Sequence, residues 1–249
     1  MKRIAVVAMA VLATGFSALA CAQQVLTVYV ADNLPPKMFV GKDGKPTGFM
    51  TELTDAIVRK AGYRPDFVVR PWAVAVKSAA EGTGLITNLS KNPEREKIFV
   101  YSDSIYEDRV QIVSLKKSRI EANSLADLKG KRVGMLRGVS YGAAFEQALP
   151  GVSAEFDEGS EQRVRRLISQ RIDAAIISGG FASVRYNAEL AGVPIVNFKV
   201  HDTPLAIDSN HIAIAKTRPD AAAVIEKLNA AIAAVKADGT AKKILSGWE

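Results

Sequence analysis

The sequence predicts an α/β protein built from two similar lobes. Short apolar runs typical of buried strands alternate with segments of helical spacing through the whole chain, which favours parallel α/β sheets. The alternation forms two series, before and after about residue 112, with no internal repeats or long linkers. Hydrophobic residues make up 48% of the 249 residues, which is ample core material for two lobes.

The first series begins with Val25 to Val30, a β-branched apolar run of the buried-strand type. Apolar residues at helical spacing then predict a helix over 49–61, which Gly62 would end as a C-cap. Pro71 indicates the start of a second helix over 72–80. The other predicted strands of this series are 66–69, 85–89 and 99–101.

The second series opens with Ser124 to Asp127, a helix start that resembles a capping box. Ser160 is predicted to cap a helix with an apolar face. The predicted strands are 132–136, 154–156, 173–177, 195–198 and 211–215. Further helices are predicted near 140–149, over 181–190, over 219–236 and near 241–245.

The first 22 residues have the pattern of a secretory signal peptide. Lys2 and Arg3 form a short basic region, an unbroken apolar run follows from Ile4 to Leu12, and small residues precede Ala22. The apolar run is too short for an ordinary membrane span, and no later stretch approaches 18 apolar residues. We therefore expect export and a mature chain that is soluble.

The site of cleavage has two interpretations. Ala20-Cys21-Ala22 fits the A-x-A rule, which leaves Gln23 as the new N-terminus and favours a free soluble protein. Cys21 also follows a segment like a bacterial lipobox, with Ala18 in place of the usual Leu, so a lipid anchor on Cys21 stays open. After cleavage at Ala22 the chain holds no cysteine, hence no disulfide, and its formal net charge falls from +7 to +5.

Composition argues against several classes of function. One Cys and two His exclude a cysteine-cluster metal site and argue against a histidine-rich one, so we expect no metal and no cofactor. The basic residues are dispersed without an aromatic–basic module, which argues against nucleic acid as a partner. Gly134 and Gly138 are not followed by Gly-Lys-Ser/Thr, so they form no P-loop.

Three segments, at 44–53, at 92–96 with 99–103, and at 125–134, lie in a characteristic order and spacing. Together they resemble the bacterial extracellular solute-binding proteins, family 3, which bind amino acids for ABC transporters. The segment at 44–53 is similar to the family's G-x-x-x-G-F-x-x-D/E-L. The segments at 92–96 and 99–103 are similar to T-P-E-R followed by F-S-x-P-Y. The segment at 125–134 is similar to D-L-K-G-K-x-V-G. The resemblance covers essentially all of the mature sequence.

The resemblance implies a type II periplasmic-binding fold, with two α/β lobes joined by two crossover hinge segments. Lobe 1 would comprise 23–110 plus 206–249, lobe 2 would comprise 111–205, and the hinge would lie near 108–116 and 199–206. A small ligand, an amino acid or an organic acid, would bind between the lobes. The protein would be a monomer that hands its ligand to the membrane permease of an ABC importer.

The resemblance also assigns candidate ligand contacts. Arg95 matches an arginine that holds the ligand carboxylate, for which a guanidinium offers a bidentate fork; a surface ion pair with Glu94 or Glu96 is the alternative. Asn88 and Ser90 lie at the end of the predicted third strand, the edge where open α/β sheets bind ligands. They would contact the carboxylate and the amine, and loop hydrogen bonds are the alternative.

Two further candidates lie near predicted helix starts. Ser140 follows Gly138, where backbone N–H groups form a natural anion site; an ordinary N-cap is the alternative. Trp72 matches an aromatic residue that stacks on the ligand, and a core tryptophan is the alternative.

Asp32 matches an aspartate that meets the ligand side chain in the family's binders of basic amino acids. Asp-Asn before Pro-Pro is also good turn chemistry, so a structural role is the alternative. Tyr106 and Tyr141 are weaker candidates for ligand contact.

Ser178 departs from the family's pattern. Many members have an aspartate here that pairs with the ligand's α-ammonium. A neutral hydroxyl cannot supply the charge that a desolvated ammonium requires. Either the ligand is a carboxylate without an α-amine, or another carboxylate replaces the aspartate.

Two other functions remain open. Some relatives are dehydratases of cyclic acids, which need a cleft Glu or Asp with a raised pKa and no hydrogen-bond partner; Glu107 and Asp32 are the candidates. A third reading is a soluble partner of a membrane signalling receptor. A binding protein that performs no catalysis is favoured over both.

Overall fold

The computed structural model describes residues 23–139, 141 and 143–248, except the side chains at 143 and 144. The predicted signal peptide, Cys21 and Ser140 lie outside the described residues. The described strands are β1 (Val25–Ala31), β2 (Asn33–Leu34), β3 (Met38–Val40), β4 (Pro46–Thr47), β5 (Arg64–Arg70), β6 (Leu85–Ser90), β7 (Phe99–Leu115), β8 (Arg132–Leu136), β9 (Ser153–Asp157), β10 (Ala174–Ile177), β11 (Phe198–Val200) and β12 (Ala206–Ala215).

Helices alternate with these strands, as the sequence predicts. They are α1 (Phe49–Lys60), α2 (Trp72–Ala80), α3 (Pro93–Ile98), α4 (Ala143–Ala148), α5 (Ser160–Ile168), α6 (Gly180–Leu190), α7 (Ala221–Ala237) and α8 (Thr240–Ser246). Single 3-10 turns occur at Lys116–Ser118, Ala126–Leu128, Leu149–Gly151 and Ile195–Asn197. None of the described helices has the length and apolar character that crossing a membrane requires.

One mixed sheet runs through the molecule in the order β5-β1-β6-β12-β7-β10-β8-β9, with β11 also paired to β7. The outer pairs are parallel, as predicted. The prediction of parallel sheets does not hold at the centre, where β7 and β12 run antiparallel to each other and to their other neighbours. Two long strands that cross the molecule in opposite directions can only pair in this way.

Strand β7 is much longer than the predicted strand over 99–101. From Phe99 to Val110 it pairs with β12, and from Gln111 onward it pairs with β10. We call the side of β5, β1, β6, β12 and the first part of β7 lobe 1, and the side of β10, β8, β9, β11 and the end of β7 lobe 2. The two lobes therefore share a continuous strand.

Local differences from the sequence reading have simple causes. The predicted strand at 195–198 is a 3-10 turn followed by β11, since Pro194 immediately precedes it. The capping-box start yields only one 3-10 turn, although Asp127 accepts hydrogen bonds from the backbone N–H groups of Asn123 and Ser124. Gly159 is the N-cap of α5, and Ser160 is its first residue.

Each lobe buries its own hydrophobic side chains. Lobe 1 has one cluster, to which β1, β6, α1 and α7 contribute. Lobe 2 has two clusters, one on each face of its sheet, around Ile176 and Ile177. Separate cores allow each lobe to act as a unit.

The lobes are also in direct contact. Leu136, at the end of β8 in lobe 2, is buried in the cluster of lobe 1. Gly138 lies against the start of α2, where an added Cβ would be 3.2 Å from the Cβ of Ala73. The side-chain amide of Asn187 donates to the backbone carbonyl of Pro35 in lobe 1 at 2.8 Å. The edge of lobe 2 thus closes over the carboxyl ends of the lobe 1 strands.

Leu228→Ala tests the core of lobe 1. Leu228 is 0% exposed on α7, so its truncation should lower the free energy of unfolding by about 2–5 kcal/mol. Urea denaturation followed by circular dichroism measures this. Leu190→Ala, at a side chain that is 45% exposed, is the matched control and should cost far less. Equal losses for the two variants would contradict the assignment of the core.

Candidate functional site

A small enclosed cavity of about 30 Å³ lies between the lobes, at the carboxyl ends of β6 and β8. Charged and polar side chains from both lobes dominate its wall. The lining residues are Leu34, Pro35, Lys37, Trp72, Asn88, Ser90, Arg95, Asp108, Leu136, Val139, Tyr141, Ser160, Arg163, Ser178, Ser183, Asp208 and Asn210. Buried ionic groups at this density are costly unless they have partners, so their pairing indicates what the cavity can hold.

The end of β6 presents Asn88 and Ser90 to the cavity. Asn88 has a φ of +60°, a left-handed conformation that is uncommon for a non-glycine residue and clusters at functional sites. Its side-chain Oδ1 is buried and has no hydrogen-bond partner among the described residues. The Nε1 of Trp72, at the start of α2, is likewise buried without a partner there. These two side chains thus contribute an unsatisfied acceptor and an unsatisfied donor to the wall.

Arg95 is positioned by the short helix α3. The side chain of Asn92 caps this helix by accepting from the backbone N–H of Arg95 at 2.7 Å. The guanidinium is buried, and it donates to the backbone carbonyls of Ser90 at 3.1 Å and Gly138 at 2.8 Å. Burial lowers the pKa of Arg95 below its usual 12.5, but a guanidinium stays cationic in proteins. Two of its five N–H donors are used, so three have no partner among the described residues.

The shared strands β7 and β12 bring two carboxylates together. Asp108 and Asp208 are directly opposite each other in the register of the pair. The ammonium of Lys37, from the loop between β2 and β3, is buried and forms an ion pair with Asp108. It also donates to the Oδ1 of Asn210 at 3.1 Å. One oxygen of Asp108 accepts from the backbone N–H of Gly179 in lobe 2 at 2.5 Å.

Asp208 has no ion-pair partner among the described residues. Its Oδ2 accepts from the hydroxyl of Ser90 at 2.5 Å and from the amide of Asn210 at 3.0 Å. Burial raises the pKa of the Asp208 carboxyl above its usual 3.8, and the charge of Asp108 adds to this, while the two hydrogen bonds and Lys37 oppose it. A bound cation would supply the counter-charge that this carboxylate lacks.

Gly48 fixes the backbone that carries Lys37. Its φ is +107°, and an added Cβ would lie 2.6 Å from the carbonyl carbon of Lys37. The first N–H groups of α1, at Phe49 and Met50, donate to the carbonyls of Pro36 and Lys37 at 3.1 and 3.0 Å. The start of this helix therefore sets where the ammonium of Lys37 enters the cavity.

Lobe 2 closes the other side of the cavity. The guanidinium of Arg163 on α5 is buried and pairs with Asp157 at 2.6 Å, and it also donates to the carbonyl of Ile176. The hydroxyls of Tyr141 and Ser178 are 3.0 Å apart. Burial raises the pKa of Tyr141 to about 12, so this hydroxyl stays neutral.

The cavity collects six of the nine residues predicted from the sequence: Trp72, Asn88, Ser90, Arg95, Tyr141 and Ser178. Asp32 and Tyr106 do not line it. Asp32 is half-buried at the end of β1, where burial raises the pKa of its carboxyl. Tyr106 packs on the ring of Phe49 and beneath the ammonium of Lys37. Ser140 lies outside the described residues.

Sequence reasoning missed the ionic side of the cavity, which consists of Lys37, Asp108, Asp208, Asn210 and Arg163. Asp108 lies two residues before the predicted end of the first part of lobe 1 at 110, and Asp208 lies two residues after its predicted resumption at 206. Two aspartates at matching positions beside the two predicted crossovers were the available signal. Nothing local to Lys37 distinguishes it from a solvated surface lysine.

Glu107 does not have the properties of a general acid. Its side chain is exposed and accepts hydrogen bonds from the hydroxyls of Ser104 and Ser209. The bond from Ser104 holds the pKa of its carboxyl below the usual 4.5. Over the part of the chain that the structure describes, no cluster of three or more His, Cys, Asp or Glu could hold a metal ion.

Asp208→Asn is expected to raise the melting temperature at pH 7. A folded-state pKa above the unfolded value makes the ionised carboxyl unfavourable in the folded protein, and the amide removes that cost. In a chain of this size, each kcal/mol of cost that the variant removes raises the melting temperature by about 2–4 °C.

The direction of the pKa shift gives a pH test for this variant. The destabilisation by the ionised Asp208 is absent below the unfolded-state pKa, where both states bind the proton, and it is fully present above the folded-state pKa. The gain of the variant over wild type should therefore shrink as pH falls toward 4. Scanning calorimetry measures the gain at pH 7 and its dependence on pH, with Glu226→Gln on the exposed face of α7 as control. A lower melting temperature for Asp208→Asn at pH 7 would contradict the argument.

Comparison with known proteins identifies the family. The family model described as bacterial extracellular solute-binding proteins, family 3, matches residues 26–249. The chain is 28% identical over 246 residues to ABC transporter arginine-binding protein 1 of Escherichia coli (strain K12), covering 96% of this chain and 97% of that protein. It is 31% identical over 224 residues to the arginine-binding extracellular protein ArtP of Bacillus subtilis (strain 168), covering 85% and 82%.

A solved structure shows the same architecture. An ancestral arginine-binding protein bound to arginine superposes with a TM-score of 0.78 at 25% identity, over 91% of this chain and 98% of that one. The chain therefore belongs to the bacterial extracellular solute-binding proteins, family 3, and has the type II periplasmic-binding fold that its sequence predicted.

Proposed function

We propose that this protein captures a small amino-acid-like ligand between its lobes in the periplasm and delivers it to the membrane permease of an ABC importer. The observation that carries the proposal is Arg95, a guanidinium that is only 8% exposed in the cavity wall and has three N–H donors without a partner among the described residues. Both relatives compared above are named as binding proteins, which favours capture over catalysis.

A carboxylate is the group that this part of the cavity suits. Arg95 presents planar N–H donors, and the buried Nε1 of Trp72 adds another donor in the same wall. A ligand carboxylate would satisfy both in a site that excludes water. The charge-assisted hydrogen bonds would repay its desolvation.

Capture works through the contact between lobes. We take 23–110 with 206–249 as one body and 111–205 as the other, with hinges where β7 changes partners and where the chain returns through 199–206. Arg95 already donates across the lobes to the carbonyl of Gly138. A ligand that touches both lobes favours the closed arrangement by its differential affinity for it.

The location and the partner rest on sequence and relatives. Residues 1–22 have the signal-peptide pattern, and the two relatives are named as an ABC transporter protein and an extracellular protein. We expect a monomer, free in the periplasm, that meets the permease in its closed form; a lipid anchor on Cys21 is the alternative.

Arg95→Ala tests the proposal. The chain that begins at Gln23 is titrated by calorimetry with amino acids, organic acids, polyamines and oligopeptides. The ligand that binds should protect the wild type from thermal unfolding by about 2.7 kcal/mol at 100 times its dissociation constant. The variant should lose about 30-fold or more in affinity, because loss of one partner of a buried charge pair costs about 2–5 kcal/mol.

Arg171→Ala is the matched control, since Arg171 is an exposed arginine of lobe 2. It should bind as the wild type does. Failure of the whole panel to bind the wild type would overturn the proposal, as would unchanged affinity in Arg95→Ala.

A further inference from the structure

The ions in the cavity wall do not all have partners. Lys37 is paired with Asp108, and Arg163 is paired with Asp157. The remaining two ions that line the cavity are Arg95 and Asp208, and neither has an ion-pair partner among the described residues. The wall therefore leaves one positive and one negative group for a ligand.

The negative group follows from the register of the shared strands. Asp108 and Asp208 face each other across β7 and β12, where like charges on neighbouring strands destabilise the pair. Lys37 supplies one positive charge for two carboxylates and binds Asp108 directly. The ammonium of Lys37 reaches Asp208 only indirectly, through hydrogen bonds to and from the side chain of Asn210. A second positive charge beside Asp208 would balance the cluster.

The two unpaired ions are close neighbours. Arg95 donates to the backbone carbonyl of Ser90, and the hydroxyl of the same Ser90 donates to Asp208. One residue thus connects a guanidinium to a carboxylate. In an α-amino acid the carboxylate and the ammonium are attached to one carbon, so a zwitterion carries its two charges on neighbouring groups, as this part of the wall does.

A second acceptor lies in the same wall. Asn88 is 9% exposed, and its Oδ1 has no hydrogen-bond partner among the described residues. An ammonium carries three N–H donors and requires several acceptors when it leaves water. Asp208 and Asn88 together offer such a set, whereas Ser178 offers one hydroxyl that is already bonded to Tyr141.

We propose that Asp208, with the Oδ1 of Asn88, binds the α-ammonium of the ligand while Arg95 binds its carboxylate, so that the ligand is an α-amino acid with an uncharged side chain. This inference rests on the proposed function and names its substrate class. The ammonium site lies on the returning strand β12, not on lobe 2 after β10. A charged side chain finds no counter-ion, because Lys37, Asp108 and Arg163 already have theirs.

Matched ligand pairs test the ammonium site. The chain that begins at Gln23 is titrated by calorimetry with L-alanine and propionate, L-leucine and 4-methylpentanoate, L-glutamine and glutaramate, and L-phenylalanine and 3-phenylpropionate, with L-arginine and L-glutamate added. We expect an uncharged amino acid to bind wild type at least 100-fold more tightly than its partner without the amine. L-arginine and L-glutamate should bind more weakly than that amino acid.

Asp208→Asn should weaken binding of the amino acid at least 30-fold, whereas the amine-free partner, which has no ammonium for Asp208, should bind no more weakly than it does to wild type. Glu226→Gln removes an exposed negative charge from α7 and should change neither. Circular dichroism checks folding. If Asp208→Asn does not fold, Asp208→Glu takes its place, and its displaced carboxylate should reduce the preference for the amine at least tenfold.

The outcomes separate the two proposals. If wild type binds the amine-free acid as tightly as the amino acid, or if the Asp208 variant keeps the preference for the amine, the ammonium site is wrong and ligand capture stands. If a charged amino acid binds most tightly, the assignment of the side chain is wrong. If wild type binds none of these probes and no member of the wider panel, the proposed function fails as well.

Discussion

The organisation of this protein depends on the pairing of β7 with β12. Strand β7 passes from one lobe to the other without a break, and its partner changes at Gln111 while the chain stays extended. Because β12 returns antiparallel beside it, the strands place Asp108 opposite Asp208 at the floor of the cleft. Two carboxylates at that spacing are unfavourable unless cations join them, and Lys37 provides one. The geometry of the crossover thus sets the charge of the binding cavity.

Contact between the lobes combines hydrogen bonds with the packing of Leu136 and Val139 against the cluster of lobe 1. The bond from Arg95 to the carbonyl of Gly138, the bond from Asn187 to the carbonyl of Pro35 and the burial of Leu136 join the two halves. Each lobe keeps its own apolar core, so separation of the lobes exposes little core surface. Such an interface permits opening and closing while the lobes remain folded.

The fold and part of the cavity wall could be predicted from the sequence, because both depend on local signals. Apolar runs, helical spacing and helix-capping residues located the strands and helices, and the motif around Arg95 indicated a residue of the cavity wall. The antiparallel centre could not be predicted, since β7 is a single long strand whose partners are distant in the chain. Asp208 and Lys37 could not be predicted for the same reason. The position of Asp208 depends on strand register and that of Lys37 on a loop contact, and neither leaves a local sequence pattern.

The close approach of Gly48 to Lys37 has a consequence for how this protein could diverge. Gly48 belongs to the segment that carries the family resemblance, and its lack of a side chain lets α1 begin directly on the carbonyls of Pro36 and Lys37. Any side chain at 48 would clash with the backbone of Pro36 and Lys37 and would force the loop that carries the lysine to shift. A shift large enough to break the ion pair would leave the carboxylate of Asp108 without its counter-ion. The vacated carboxylate would then attract positively charged solutes. A change outside the cleft wall could therefore convert one nutrient preference into another while every residue that touches the ligand is retained.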